Sequence, residues 1–144
     1  MDYSGKNGAQ IDPTWSGLDY PGVTSKYGTV ITRVNPRTGA VEVLLAKPKN
    51  YFANTSWTWA KGAQDPGNAA VDTAHREAME EVGAKGDMVG HLTGTYGENT
   101  KNGLNAYFIM RQNGPIDDAA WKANGETADV KWVDIEQAHT LINE

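Results

Sequence analysis

Between Gly62 and Ala84 the chain reads GAQDPGNAAVDTAHREAMEEVGA, and this segment carries the clearest structural signal in the sequence. Its first part is rich in glycine and turn-forming residues, which favours a loop. Gly83, near its end, stands where a left-handed C-terminal helix cap belongs. Between them, apolar residues recur at three- and four-residue spacing, which predicts a helix over residues 69–82 with one buried stripe, formed by Val71, Ala74, Ala78 and Val82.

Three glutamates of this helix, Glu77, Glu80 and Glu81, fall within about one third of its circumference, away from the buried stripe. A solvated acidic face is one interpretation, although like charges at this spacing destabilise a helix slightly. A metal site is the other, because Asp72, Arg76 and Glu80 form a ladder that braces a carboxylate and because a glycine loop precedes the helix. Mg²⁺ would relieve the crowding, since it binds one or two carboxylates and completes its shell with water and substrate phosphates.

Segments of strand composition flank the loop and helix on both sides. Asn35–Gly39 is a strong turn signal between the first two, so a hairpin is expected there. Asp134 is placed to cap a final helix, with Gln137 three residues further on. The predicted order β, β, β, α, β, β, β, α indicates an α+β fold, an α/β/α sandwich with a mixed β-sheet between helices. Its strands are predicted at 29–34, 41–45, 57–60, 88–96, 104–111 and 130–133.

The composition of the chain argues against a nucleic-acid-binding protein and a membrane protein. The chain has 144 residues, 13 Lys and Arg against 18 Asp and Glu, a net charge of −5 and no Cys. The acidic balance argues against stable nucleic-acid binding, and the longest apolar run, Ala106–Met110, is too short for a membrane helix. Residues 1–26 are interpreted as an N-terminal arm or loop and residues 27–144 as a single domain. We expect a cytoplasmic protein that acts on a small molecule, and a homodimer is compatible with the sequence.

The spacing of the fixed residues in this segment resembles the Nudix box, the loop–helix–loop signature of Nudix hydrolases. Three flanking stretches are also similar to the family: Trp57–Gly62 before the box, Ala106–Ile109 as a central strand, and Lys131–Asp134 before the last helix. The resemblance implies a Nudix-like fold and hydrolysis of a phosphoanhydride bond in a nucleoside diphosphate derivative, with Mg²⁺ or Mn²⁺ as cofactor. The residues that match the box are Gly62, Arg76, Glu77, Ala78, Glu80, Glu81, Gly83 and Ala84.

Carried over residue by residue, the resemblance assigns roles within the box. Arg76 would orient a carboxylate through charge-assisted hydrogen bonds. The Gly62 carbonyl would be a backbone ligand of the metal, and Glu98, in a distant turn-rich segment, is the candidate for a further catalytic acid. Either Glu98 or one glutamate of the box would activate water. The glutamates that would hold the metal are Glu77, Glu80 and Glu81.

Substrate contacts are expected just before the box. Lys61 is a candidate phosphate ligand, and Tyr51 and Trp57 are candidates for stacking on a base. Trp57 and Trp59 alternate along a strand, and we expect one to face the core and the other the cleft. Lys47 is interpreted as a surface charge.

Two departures from the family pattern leave a second function open. Asn68 stands where the family has its first glutamate, and Ala60 replaces a proline. Asn68 keeps an acceptor oxygen but loses a charge, so a nucleotide-binding module with reduced or lost hydrolysis is the alternative to an enzyme. The flanks look most similar to the dinucleoside polyphosphate branch, but Asn99–Asn102 lacks both the tyrosine of that branch and the proline of ADP-ribose hydrolases. An isomerase of similar fold is excluded because it requires a cysteine.

Overall fold

The computed structural model describes residues 24–49, 57–64, 67–92 and 104–142. Within them it contains a mixed β-sheet flanked by helices, as the sequence predicts. The elements, in chain order, are β1 (Thr24–Val34), β2 (Val41–Pro48), β3 (Ala60–Gly62), α1 (Ala70–Val82), β4 (Gly86–His91), β5 (Leu104–Gln112), α2 (Asp118–Ala123), β6 (Thr127–Asp134) and α3 (Ile135–Ile142).

The sheet is built around β1. Its strand order is β4-β5-β1-β2-β6, and the short β3 pairs with the first part of β1. β1 and β5 are parallel, and the other pairings are antiparallel. The parallel pair requires a crossover, which the segment containing α1 and β4 supplies. This arrangement places β3 beside α1 at one end of the sheet.

The β1–β2 hairpin forms where the turn signal predicts it. The Asn35 side chain accepts a hydrogen bond from the backbone N–H of Arg37 at 2.8 Å, and the Asn35 backbone N–H donates to the Ala40 carbonyl at 2.8 Å. Gly39 has a φ of +73°, a conformation that glycine adopts without strain. The register that follows pairs Thr32 with Val43.

Each face of the sheet is covered by a helix, which makes the α/β/α sandwich. On one face, Ile31, Leu44 and Phe108 pack with the buried stripe of α1. On the other face, Val43, Leu45 and Val133 pack against Ala138 of α3. Strand residues alternate between these two cores because successive side chains point to opposite sides of the pleat.

Both ends of the box helix follow local rules. Asp72 lies in the first turn, where a negative charge suits the helix dipole. Gly83 ends the helix with a φ of +69°, and a Cβ at this position would overlap the Asp117 carbonyl oxygen. The Asp117 N–H donates to the Gly83 carbonyl at 2.7 Å, and the Asp117 side chain caps α2 by accepting from Ala120 N–H. Gly83 therefore joins the end of α1 to the start of α2.

Several elements differ from the sequence prediction. β1 begins at Thr24, because its pairing with β5 extends that far. The predicted strand at 57–60 is shifted: the paired strand is Ala60–Gly62, and in the described residues 57–59 just before it, Thr58 forms a single bridge to Ala46 of β2. The six-residue α2 was not predicted, since it is too short to show a helical period. The terminal helix is capped as predicted, with the Gln137 N–H donating to the Asp134 carboxylate at 2.7 Å.

Candidate active site

The carboxyl groups of Glu77 and Glu81 lie together beside β3. Glu81 Oε1 accepts a hydrogen bond from the Lys61 backbone N–H at 3.1 Å, which ties the helix to the strand. Glu77 packs against Gly62, where a Cβ would overlap its carboxyl group. The glycine that opens the box is therefore required by contact with a glutamate of the box.

The proximity of the two carboxyl groups changes the proton affinity of Glu81. The pKa of Glu81 is raised from 4.5 to about 8, mainly by burial and also by the neighbouring Glu77 charge and a hydrogen bond between the two carboxyl groups. The Lys61 backbone N–H and the Lys61 charge act in the opposite direction. In the metal-free protein the pair therefore carries a proton at neutral pH.

Arg76 connects the helix to the preceding loop. Its guanidinium donates to Glu77 Oε2 at 3.0 Å and to the Ala63 carbonyl at 3.1 Å. The Glu77 side chain is only 14% exposed, so this ion pair lies in a partly desolvated environment. Arg76 thus ties the Glu77 carboxylate to the loop at Ala63.

Glu80 lies apart from the carboxyl pair. It is exposed, and its backbone carbonyl accepts a hydrogen bond from the Asn124 side chain. Among the described residues, no three His, Cys, Asp or Glu side chains form a group that would hold a metal ion. The described part of the chain therefore brings together two of the three predicted glutamates, Glu77 and Glu81.

Two carboxylates fit a Mg²⁺ or Mn²⁺ site of the kind that substrate completes. Mg²⁺ usually keeps several waters and binds one or two carboxylates together with substrate phosphates. The raised pKa of Glu81 shows that two negative charges are costly at this place. A bound dication would neutralise both carboxylates and displace the proton from Glu81. The donor set of Glu77 and Glu81 is thus compatible with this metal.

Lys61 lies immediately next to this pair. Its ammonium donates to Thr58 Oγ1 at 2.8 Å, and its backbone pairs with Gly28 of β1. Burial lowers the pKa of Lys61, with Lys26 lowering it further and Glu81 raising it. At Gly28 a Cβ would come within 2.8 Å of the Tyr107 ring, so this glycine lets three strands approach closely.

Trp57 and Trp59 lie on the same face of the sheet and pack against the core under α3. The expectation that they face opposite ways is wrong, because residues two apart on an extended chain share a face. Both are partly exposed. The ammonium groups of Lys47 and Lys131 lie near the Trp57 ring. The sequence analysis does not predict this cluster, because it interprets Lys47 as a surface charge.

Three other residues bear on the predicted site. Tyr51 and Glu98 lie outside the described residues. Asn68 is exposed, and its backbone carbonyl accepts a hydrogen bond from the Gln64 side chain at 2.6 Å.

None of the described helices has the length and apolar character needed to cross a bilayer.

Comparison with known proteins identifies the family. The model of the NUDIX domain matches residues 25–144. A C. elegans Ap4A hydrolase in a binary complex has a similar structure, with 26% identity, a TM-score of 0.62 and coverage of 85% of this chain and 88% of that chain. A NUDIX hydrolase from Nitrosomonas europaea has 20% identity, a TM-score of 0.64 and coverage of 83% and 77%.

A Nudix hydrolase from M. smegmatis has 20% identity, a TM-score of 0.59 and coverage of 85% and 78%. A search of curated protein sequences gave no significant match. The two structures at 20% identity support the fold, and the domain match covers most of the chain. The chain therefore belongs to the Nudix family, whose hydrolases act on pyrophosphate bonds.

Proposed function

We propose that this Nudix hydrolase depends on a divalent cation, Mg²⁺ or Mn²⁺, and cleaves a phosphoanhydride bond in a nucleoside diphosphate derivative. The observation that carries the proposal is the pairing of the Glu77 and Glu81 carboxyl groups beside β3, where Glu77 packs against Gly62 and Glu81 accepts from the Lys61 N–H. When bound, a divalent cation would neutralise the phosphates and increase the acidity of the attacking water. Glu77 and Glu81 would hold it, with the Gly62 carbonyl as a further ligand.

The remaining residues of the box have supporting roles in this proposal. Arg76 orients Glu77 through a charge-assisted hydrogen bond and fixes the loop at Ala63. Glu80, which is exposed, is available to an incoming substrate or its bound metal. The carboxylate that takes the proton from water belongs to the set Glu77, Glu80, Glu81 and Glu98.

Dinucleoside polyphosphates are the substrate class we favour. The similarity to an Ap4A hydrolase at 26% identity supports this choice, as does the partly exposed indole of Trp57, which offers a base a stacking surface. Lys61 is the candidate phosphate ligand, and Tyr51 remains a predicted stacking residue. ADP-ribose and related compounds are the next class. A cytoplasmic location, a homodimeric state and the absence of stable nucleic-acid binding stay predictions.

A nucleotide-binding module that has lost turnover is the alternative. The observation that favours it is Asn68, which lacks the charge of the family's glutamate. If a glutamate at position 68 supports hydrolysis here as it does in the family, Asn68→Glu will hold or raise the turnover number. A large loss of turnover in this variant would mean that the chain uses the asparagine in another way.

A substrate panel tests the proposal. Purified protein is incubated with Mg²⁺ or Mn²⁺ and with dinucleoside polyphosphates, ADP-ribose, NADH, nucleoside triphosphates and nucleotide sugars, and the products are separated by anion-exchange chromatography. We expect metal-dependent cleavage, fastest for a dinucleoside polyphosphate. Nucleotide binding without cleavage of any compound would favour the binding module instead.

A further inference from the structure

The last turn of α1 is held by a side chain from outside the helix. The final carbonyls of any α-helix lack partners within the helix itself. Backbone N–H groups at the Gly83 cap satisfy two of them, the carbonyls of Ala78 and Met79. The Glu80 carbonyl instead accepts a hydrogen bond from the Asn124 side chain, 44 residues further along the chain. A residue outside the box therefore supports the end of the box helix.

The orientation of the Asn124 side chain is fixed by its own loop. Asn124 directly follows α2, and its Oδ1 accepts a hydrogen bond from the Glu126 N–H at 2.7 Å. This local turn passes through Gly125, which has a φ of +74°. Because the amide oxygen faces an N–H group, the amide nitrogen is the end that faces Glu80, where a carbonyl requires a donor. The two contacts thus use both ends of one amide.

The loop that carries Asn124 is anchored to the sheet. The N–H of Lys49, directly after β2, donates to the Glu126 carbonyl at 2.7 Å. At the start of α2, the Asp117 N–H donates to the Gly83 carbonyl, also at 2.7 Å. The segment from the start of α2 to the loop after it therefore contacts the end of α1 at two points and β2 at a third. It can fix the helix relative to the strands.

The turn that Asn124 supports carries one carboxyl group of the candidate site. The Glu81 carboxyl reaches from this turn to the Lys61 N–H on β3, and Glu77 lies one turn earlier in the helix. Glu80 and Glu81 are neighbours in the chain, so a shift of the Glu80 carbonyl moves the Glu81 side chain with it. Helix ends fray when their last groups lose their partners. Loss of the Asn124 contact would therefore loosen the spacing of the two carboxyl groups.

We propose that Asn124 is a positioning residue of the hydrolase: its side-chain N–H holds the Glu80 carbonyl and thereby keeps the Glu81 carboxyl beside Glu77. Asn124 is half-buried and acts through the backbone of the helix. The inference rests on the proposed function, since the carboxyl pair that Asn124 positions is the proposed site of the divalent cation. Groups that only support a metal ligand contribute about tenfold or more to metal affinity.

Mn²⁺ binding to Asn124→Ala and Asn124→Asp tests this role without requiring turnover. Alanine removes both hydrogen bonds of the side chain, whereas aspartate keeps an oxygen for the Glu126 N–H and loses the donor to Glu80. Free Mn²⁺ is measured by electron paramagnetic resonance in about 0.3 M KCl, which screens the added charge of aspartate. What remains of that charge would favour Mn²⁺, so a weaker affinity reports the missing donor. Thermal unfolding is recorded on the same samples.

Asn35 supplies the matched control. Its Oδ1 accepts from the Arg37 N–H at 2.8 Å and its Nδ2 donates to Glu42 Oε2 at 3.1 Å, so the same two substitutions remove the same kinds of hydrogen bond. Asn35 lies in the loop before β2, whereas the Asn124 loop is tied to the residue after β2. Asn35→Ala and Asn35→Asp therefore measure the general effect of losing such an asparagine.

Both Asn124 variants are expected to bind Mn²⁺ at least about fivefold more weakly, and both Asn35 variants should stay within about twofold of the parent. Affinity within about twofold of the parent in both Asn124 variants would overturn the positioning role. Parent-like affinity in Asn124→Asp alone would also overturn it, because the contact with Glu126 would then be the one that matters. An equal loss in the Asn35 variants would overturn it as a general effect of lower stability.

The two proposals fail in distinguishable ways. If the parent binds Mn²⁺ but cleaves no compound of the panel, the hydrolase proposal falls and the comparison of Mn²⁺ affinities still decides the role of Asn124. If a dinucleoside polyphosphate is cleaved and all the variants bind Mn²⁺ like the parent, only the positioning role falls. If both proposals hold, half-maximal cleavage by the Asn124 variants needs at least about fivefold more Mn²⁺, with KM for the nucleotide nearly unchanged. A parent without measurable Mn²⁺ affinity would overturn both.

Discussion

Replacing Glu81 by Gln should stabilise the metal-free protein, although it removes a proposed metal ligand. Burial next to Glu77 raises the pKa of Glu81 to about 8 in the folded chain, against 4.5 as the ordinary value. Folding therefore favours the protonated form. The stability that this proton provides is fully present below the unfolded pKa and is lost as the pH rises through the folded pKa.

The size of the effect follows from the shift. One pKa unit corresponds to about 1.4 kcal/mol, so ionisation of Glu81 lowers the free energy of unfolding by about 3 kcal/mol between pH 5 and pH 8. Glutamine carries no charge at any of these pH values, and its side-chain oxygen still accepts the Lys61 N–H bond. The variant should therefore escape this loss of stability.

Urea unfolding in EDTA at a series of pH values measures the difference. We expect parent and Glu81→Gln to agree near pH 5 and to separate by about 3 kcal/mol near pH 8, with the variant more stable. Glu80→Gln is the matched control, because Glu80 is the exposed neighbour on the same helix and should follow the parent. Parallel curves for the parent and Glu81→Gln would refute the reasoning about the carboxyl pair.

Three further substitutions test contacts in the box and at the cap of the last helix. Gly62→Ala places a Cβ where the Glu77 carboxyl lies, and should lower kcat by about a hundredfold in a steady-state assay while circular dichroism stays that of the parent. Gly83→Ala forces a left-handed conformation and an overlap with Asp117, and should lower the free energy of unfolding by at least about 2 kcal/mol in urea. Asp134→Ala removes the cap of α3 and should lower it by about 1 kcal/mol, with kcat unchanged. A parent-like result in any of these assays would contradict the corresponding contact.

Local signals in the sequence predict much of the fold. The helix over the box, its Gly83 cap, the Asn35–Gly39 turn and the Asp134 cap all depend on residues close together in the chain. Such features are encoded by side chains that satisfy nearby backbone groups. For this reason the box helix and the hairpin are found where they are expected.

Features that depend on pairing between distant strands are harder to predict from the sequence. The shift of β3 to Ala60–Gly62 follows from its register with Tyr27–Thr29 of β1, some thirty residues earlier. The meeting of Lys47, Trp57 and Lys131 depends on two such registers at once. Residues close together in the chain do not reveal these strand registers, so the cluster could not be predicted from the sequence.

The candidate site could be predicted in part: the grouping of its glutamates follows from local spacing, and their surroundings depend on distant contacts. Helical spacing brings Glu77 and Glu81 together, since residues four apart share a face. Their contact with β3, and the burial that raises the pKa of Glu81, depend on how the helix packs on the sheet. The exposure of Glu80 likewise follows from packing, although the spacing alone groups it with the other two glutamates.

Manganese binding tests the central claim most directly, namely that the Glu77–Glu81 pair holds the divalent cation used for hydrolysis. Free Mn²⁺ is measured by electron paramagnetic resonance during titration of the parent, Glu77→Gln and Glu81→Gln, and turnover of a dinucleoside polyphosphate is measured on the same samples. We expect both variants to lose at least about tenfold in Mn²⁺ affinity and in turnover, because even groups that only support a metal ligand contribute that much. Parent-like Mn²⁺ binding and turnover in both variants would contradict the claim.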